Sequence, residues 1–282
     1  KTEESGLIDV DKTKEKMNEI GDIAKEQGKK IGDMGVDLGN KIAKAFSNIN
    51  FGDFSGRSES INTTVEMDIS HIENPNIELE AINGGIIVEN WDEDFISVNI
   101  NCRYKDGLFR EGEDFFEFYK TDNKIIFSPI FTGNLSIDLK VFLPDKPYGE
   151  IRLKSTNGPI KIEDFTMDIL DLSTSNAAIT VESIKAEEVK LNTKNGKIIL
   201  DNIMSPKIDA NTGNSNILVE DVETENINLI SKNGRIYLSD IMAEEIIAKT
   251  SNATIELEDI SSEKIELKTS NAKVQLNDLN LD

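Results

Sequence analysis

Acidic side chains recur along the second half of this sequence at a fixed step. Asp164, Ser183, Asn202, Asp221, Asp240, Asp259 and Asp278 lie nineteen residues apart, preceded by Glu163, Glu182, Asp201, Glu220, Ser239, Glu258 and Asn277. Calcium takes six to eight oxygen ligands, so carboxylates stacked along one edge, Asp221, Asp240 and Asp259 above all, are the candidate metal ligands of the chain. The plainer reading is that Asp or Asn after a strand closes a turn by bonding its own backbone. The Gly-Gly-x-Gly-x-Asp pattern of calcium-binding solenoids is missing, which favours the turn.

Other chemistry is sparse. His71 is the single histidine and Cys102 the single cysteine. Hydrolysis by a Ser-His-Asp or Cys-His pair would have to run through His71, and neither a Gly-x-Ser-x-Gly elbow nor a phosphate-binding Gly-Lys-Ser/Thr loop occurs. One cysteine allows no intrachain disulfide and no Cys-rich metal centre. No catalytic residue and no cofactor-binding residue is therefore assigned. A lyase acting on acidic polysaccharides is the enzymatic rival; it needs basic side chains gathered in a groove, and Lys197, Lys232 and Arg235 are scattered.

The acidic columns belong to a larger repeat. Asn157, Asn176, Asn195, Asn214, Asn233, Asn252 and Asn271 are each nineteen residues apart without an insertion. With Asn as position zero, positions three (Ile160, Ile179, Ile198, Ile217, Ile236, Ile255, Val274) and five (Ile162 to Leu276) are wholly aliphatic. So are position eight (Phe165 in the first coil, then aliphatic) and positions thirteen and fifteen. Alternation with period two specifies strands, and stacked coils merge their apolar faces into one core. The fold class is all-β: a parallel β-solenoid of nineteen-residue coils. A Ser/Thr column at position seventeen reads as a structural hydroxyl ladder, and the Asn column as a corner whose residues adopt positive φ and whose amides pair from coil to coil.

The template reappears at Asn83-Gly84. Val141 and Leu143 fit positions three and five of the coil just before Asn157, with Ile151 and Leu153 on its second strand. Residues 92–136 break the period with strand-like runs at 95–100, 115–119 and 125–127, expected to form an antiparallel hairpin excursion whose aromatics pack the end of the rod or meet a ligand. Residues 8–50 differ in kind: Met17, Ala24, Ile31, Leu38 and Ala45 recur every seven residues, as in an amphipathic helix striped with Gly21, Gly28 and Gly35. That helix packs on the rod, lies on a membrane surface or self-associates. The domains are residues 1–57, a helical segment, and 58–282, the solenoid.

The formal net charge is −22, and residues 1–57 carry 10 basic against 11 acidic side chains, so the solenoid is the acidic part. Acidic surfaces repel phosphate backbones, which argues against nucleic acid as a partner. No run approaches the apolar length of a membrane-spanning helix. The start at Lys1, without Met, leaves room for an upstream signal or anchor.

Ser155-Thr-Asn-Gly158, Thr193-Lys-Asn-Gly196 and Ser231-Lys-Asn-Gly234, each followed by an alternating aliphatic strand, resemble, together with Val141-Phe-Leu-Pro144, the bacterial "putative adhesin" or toast-rack family over about residues 60–282. The resemblance implies a non-enzymatic β-solenoid of the bacterial cell envelope, extracytoplasmic, with a protein or envelope component as partner and no catalytic residues to carry over. Its alternative role is a regulatory module of envelope-stress sensing that works through the N-terminal helix.

Overall fold

The computed structural model describes residues 58–281, apart from 106–107, 109–112 and 132, and every regular element among them is a β-strand. The expected helix over residues 8–50 lies outside the described residues.

The regular part runs from β9 (Ile160–Thr174) and β10 (Ile179–Thr193) through β11 (Ile198–Met204) and β12 (Lys207–Thr212). It continues as β13 (Ile217–Ser231), β14 (Ile236–Lys249), β15 (Ile255–Lys268) and β16 (Val274–Leu281). These strands pair in parallel, each residue opposite the one nineteen further on: Ile179 with Ile198, Ile198 with Ile217, Ile217 with Ile236, Ile236 with Ile255. The described residues thus form an all-β parallel solenoid, regular in nineteen-residue coils from Ile160 onward. Positions three and five, eight and ten, and thirteen and fifteen point inward, and from Ile160 to Leu257 the side chains at positions three and five are at most 1% exposed.

Position ten is a core column that hydropathy alone does not reveal. Met167, Ala186, Ser205, Thr224, Ala243 and Ser262 are all buried there. Their common property is small volume in all but the first coil, and the hydroxyls bond locally: Ser205 Oγ donates to the carbonyl of Lys207 at 3.0 Å and Thr224 Oγ1 to that of Asn226 at 3.2 Å.

Two ladders tie the coils together at the corner. Nδ2 of each Asn donates to Oδ1 of its counterpart in the adjacent coil, from Asn271 to Asn252 at 2.7 Å, then at 2.6 Å each to Asn233, Asn214, Asn195 and Asn176, and on to Asn157 and Asn83. The series ends where Asn83 donates to the carbonyl of Leu135 at 2.9 Å. Position seventeen supplies the second ladder: Thr212 Oγ1 donates to the carbonyl of Gly196 at 2.8 Å and Ser231 Oγ to that of Ser215 at 2.9 Å. The positive φ expected of the Asn column is found only at Asn83, at 57°. The later coils place that backbone conformation elsewhere, at position seven.

The N-terminal half of the stack is not in sequence order. β2 (Asn76–Ala81) and β3 (Asn83–Trp91) form one layer, flanked on one side by β6 (Lys124–Pro129) and β7 (Leu135–Pro144), and on the other by β8 (Tyr148–Ser155) and β9. Ile160 therefore stacks on Ile86, and Ile162 on Val88, which in turn faces Val141. This corrects the sequence reading of Val141 and Leu143 as positions three and five of the coil next to Asn157: a layer intervenes, and Leu139 and Val141 hold those positions. Ile151 and Leu153 do stack on Leu170 and Leu172 as expected.

Residues 92–136 keep their strands in the same sheet. β4 (Phe95–Lys105) runs antiparallel between β7 and β1 (Ser58–Asp68), and β5 (Phe116–Thr121) runs antiparallel on β6. Phe115 and Phe127 are buried in the common core, and Phe116 stacks on Phe127 with ring centroids 5.0 Å apart. The aromatics of this region close the end of the stack.

The interleaved layer is pinned by a buried carboxylate. A bulge at Gly84 and Gly85 interrupts the pairing of β3 with β7, and Asp138 Oδ1 accepts the Gly85 N–H at 2.8 Å. Arg103 approaches the other carboxylate oxygen at 3.4 Å. Burial outweighs both contacts and pushes the acid up from its ordinary 3.8 to about 6. A carboxyl with a raised folded-state pKa stabilises the fold fully below its unfolded value, and that stability is lost as pH rises through the folded value. Relative to Asp138→Asn, the native chain should lose about 2 kcal/mol of stability between pH 4 and pH 7. Parallel urea titrations of the two proteins across that range check it; a pH-independent difference contradicts it.

Candidate recognition face

Between positions five and eight the chain must turn without losing its inward face, and it does so by placing position seven in the left-handed region. Asp164, Ser183, Asn202, Asp221, Asp240, Asp259 and Asp278 have φ between 49° and 64°. Asp, Asn and Ser stand there because short polar side chains tolerate this conformation, whereas a bulkier Cβ collides with the following carbonyl. This backbone demand accounts for the residue types in the column singled out as a calcium edge. Among the described residues no three His, Cys, Asp or Glu side chains gather into a cluster that could hold an ion. Asp221, Asp240 and Asp259 stand one above another, and desolvation, then the neighbouring charges of Asp240, Asp278 and Glu258, raise the carboxyl of Asp259 above its ordinary value. Asp221→Asn should leave stability unchanged, while Asp221→Val should cost about 1–2 kcal/mol through left-handed strain. Equal melting temperatures for the two variants would contradict the assignment.

The corner column forms one wall of a shallow groove along the coils. Two cavities of about 630 and 520 Å³ share Met204, Glu223, Met242 and Ser261, all at position nine. Asp221, Asp240 and Asp259 rim one side, and Glu225, Glu244 and Glu263, at position eleven, rim the other. Met204 and Met242 are 47% and 62% exposed, among the most exposed large apolar side chains described. Among the described residues no Lys or Arg lines the groove.

Many acids on the other outward faces are paired with a cation. Lys161 pairs with Glu163 at 2.6 Å and Glu182 at 3.1 Å, Glu188 with Lys190 and Lys207, Arg235 with Glu256 at 2.5 Å, Lys249 with Glu266 at 2.7 Å and Lys264 with Glu245 at 2.5 Å. Among the described residues, no such partner meets the acids that rim the groove. The sequence signals its acidic wall, but position nine alternates between Met and polar residues and gives no such signal.

The residues with intrinsic reactivity lie elsewhere and apart. His71 Nε2 is 3.1 Å from Lys120 Nζ near the start of β2. Cys102 is fully buried on β4, and desolvation, then the charge of Asp138, push its thiol up to about 12, so it holds its proton at neutral pH.

Comparison with known proteins gives a family and distant structural neighbours. The family model described as Toastrack DUF4097 matches residues 119–209 and 204–282. No curated protein matches the chain. Among solved structures, a "putative adhesin" from Parabacteroides merdae is 14% identical, with a TM-score of 0.47, covering 78% of this chain and 97% of its own. Another, from Parabacteroides distasonis, is 13% identical, with a TM-score of 0.46, covering 79% and 98%. A "putative cell adhesion protein" from Clostridium sporogenes is 11% identical, with a TM-score of 0.37, covering 79% and 100%.

Proposed function

This chain belongs to the toast-rack family, DUF4097, and from that membership we propose that it acts as a non-enzymatic recognition or scaffold module of the bacterial cell envelope, on the extracytoplasmic side. The observation that carries the reading is the repetition of its outward side chains. Residues nineteen apart are held directly above one another, so each outward position becomes a straight column of fixed spacing on a rigid support. Such a surface suits extended contact with a protein or other envelope component, and its grooves are open and shallow.

The reactive groups support the same reading. His71 and Cys102 stand outside the grooves, one beside a lysine and one sealed in the core. Among the described residues, neither has a partner arrangement that would generate a nucleophile.

The test uses the full chain. Labelled protein is incubated with washed bacterial envelope fragments, and both retention and release of new sugar ends are measured. Saturable retention without new ends is expected. Absence of retention, or steady release of sugar ends, overturns the reading.

A further inference from the structure

We propose that the groove between positions seven and eleven of the C-terminal coils binds an extended, Lys- or Arg-rich polypeptide segment that also carries apolar side chains. The inference rests on the recognition reading above and names the partner class of that surface. Its floor is accessible and partly apolar: Met204 and Met242 are exposed there two coils apart, with Glu223 between them and Ser261 beyond. Exposed methionines suit binding surfaces because an unbranched thioether adapts to varied apolar partners. Its rims are two rows of carboxylates, exemplified by Asp240 and Glu244, with no cation in the lining.

The contrast with the rest of the surface gives the charge argument its direction. Several acids at other outward positions pair with lysines and arginines of the same or the next coil, whereas among the described residues none of those rimming the groove does. Desolvation first, and then the charges of Asp240, Asp278 and Glu258, raise the carboxyl of Asp259 above its ordinary value. A cationic segment laid along the rod relieves the repulsion among these charges and covers the methionines, while anionic lipid or nucleic acid is repelled. Coil spacing of about 4.8 Å presents carboxylates often enough for successive basic residues of an extended chain to find one.

The probe is a fluorescein-labelled nonapeptide of alternating Lys and Leu, with alternating Lys/Ser and Glu/Leu peptides as controls, titrated with the full chain. The Lys/Leu peptide should bind tightest and the Glu/Leu peptide not at all. Asp240→Asn with Asp259→Asn, which keeps residues suited to left-handed backbone, should weaken Lys/Leu binding about tenfold. Met204→Ser with Met242→Ser should weaken it about threefold while leaving Lys/Ser binding unchanged. Glu182→Gln with Glu256→Gln removes two charges from the other outward faces and should change nothing. Equal binding of the Lys/Leu and Lys/Ser peptides, or equal loss in the two carboxylate double variants, overturns the proposal by showing a general cation-attracting surface. Retention on envelope fragments without peptide binding overturns the groove assignment alone, whereas loss of both overturns the recognition reading with it.

Discussion

Replacing Ile236 with aspartate is expected to destabilise the coils around it by about 5 kcal/mol or more. Ile236 is fully buried at position three of β14 and lies opposite Ile217 of β13 and Ile255 of β15. The substitution removes most of the apolar side chain and puts an unpaired charge where no water and no cation can meet it. Stacked repeats are stabilised chiefly by their nearest neighbours. The loss should therefore be local: amide hydrogens of β13 to β15 should lose protection from exchange while those of β4 and β7 keep theirs. Ile236→Val, which removes one methyl, should cost only about 1 kcal/mol. Unchanged melting of Ile236→Asp would contradict the burial of this column.

Gly196→Ala is the second large effect, and its cause is the close approach of the backbone beneath it at this corner. A Cβ at Gly196 would lie 1.6 Å from the carbonyl oxygen of Ala177 and 2.3 Å from its carbonyl carbon, both backbone atoms of the coil beneath. Backbone paired on both sides cannot move away without breaking the ladder, so the substitution should cost about 3 kcal/mol. The same corner is held by the Thr193 hydroxyl, which accepts the Gly196 N–H at 3.0 Å. Ala253→Gly, at the same position of a coil that already accommodates a methyl group, serves as the comparison and should cost less than about 1 kcal/mol. Denaturant midpoints of the two variants decide the matter, and a near-native midpoint for Gly196→Ala would show that the backbone of Ala177 stands further from Gly196 than described.

The architecture from Asn157 onward is legible in the sequence because nothing interrupts the nineteen-residue step. When the same side chain type recurs at positions three, five and eight in coil after coil, a spacing in sequence becomes a spacing in space. The interleaving of β2 and β3 between β7 and β9 was not legible. A parallel pair formed by Ile86 and Ile160 is set by the path of the chain between them and leaves no local periodicity. The one hint, the match of Asn83-Gly84 to the corner template, located the layer but not its neighbours.

The candidate face was half legible for a related reason. Asp at position seven can mean an ion ligand or a left-handed corner, and composition does not reveal the corner; the φ values of Asp221 and Asp240, 54° and 56°, do. Glu225, Glu244 and Glu263 look like ordinary solvated residues until the coils stack them opposite that corner. Met204 and Met242 carry no signal at all in a column whose other members include Lys185, Glu223 and Ser261.

The central claim is that residues nineteen apart are directly stacked, and pulsed electron paramagnetic resonance tests it most directly. Spin labels on cysteines introduced at Lys161 and Glu256, both at position four and five coils apart, should give one narrow distance of about 24 Å, five strand spacings. The native Cys102 does not compete for label, being buried with its thiol pushed up to about 12. Moving the first label to Thr180 and then to Ile199 should shorten that distance by about 4.8 Å each time. A broad distribution, or distances that do not fall in equal steps, would contradict the stacked solenoid and the groove built on it.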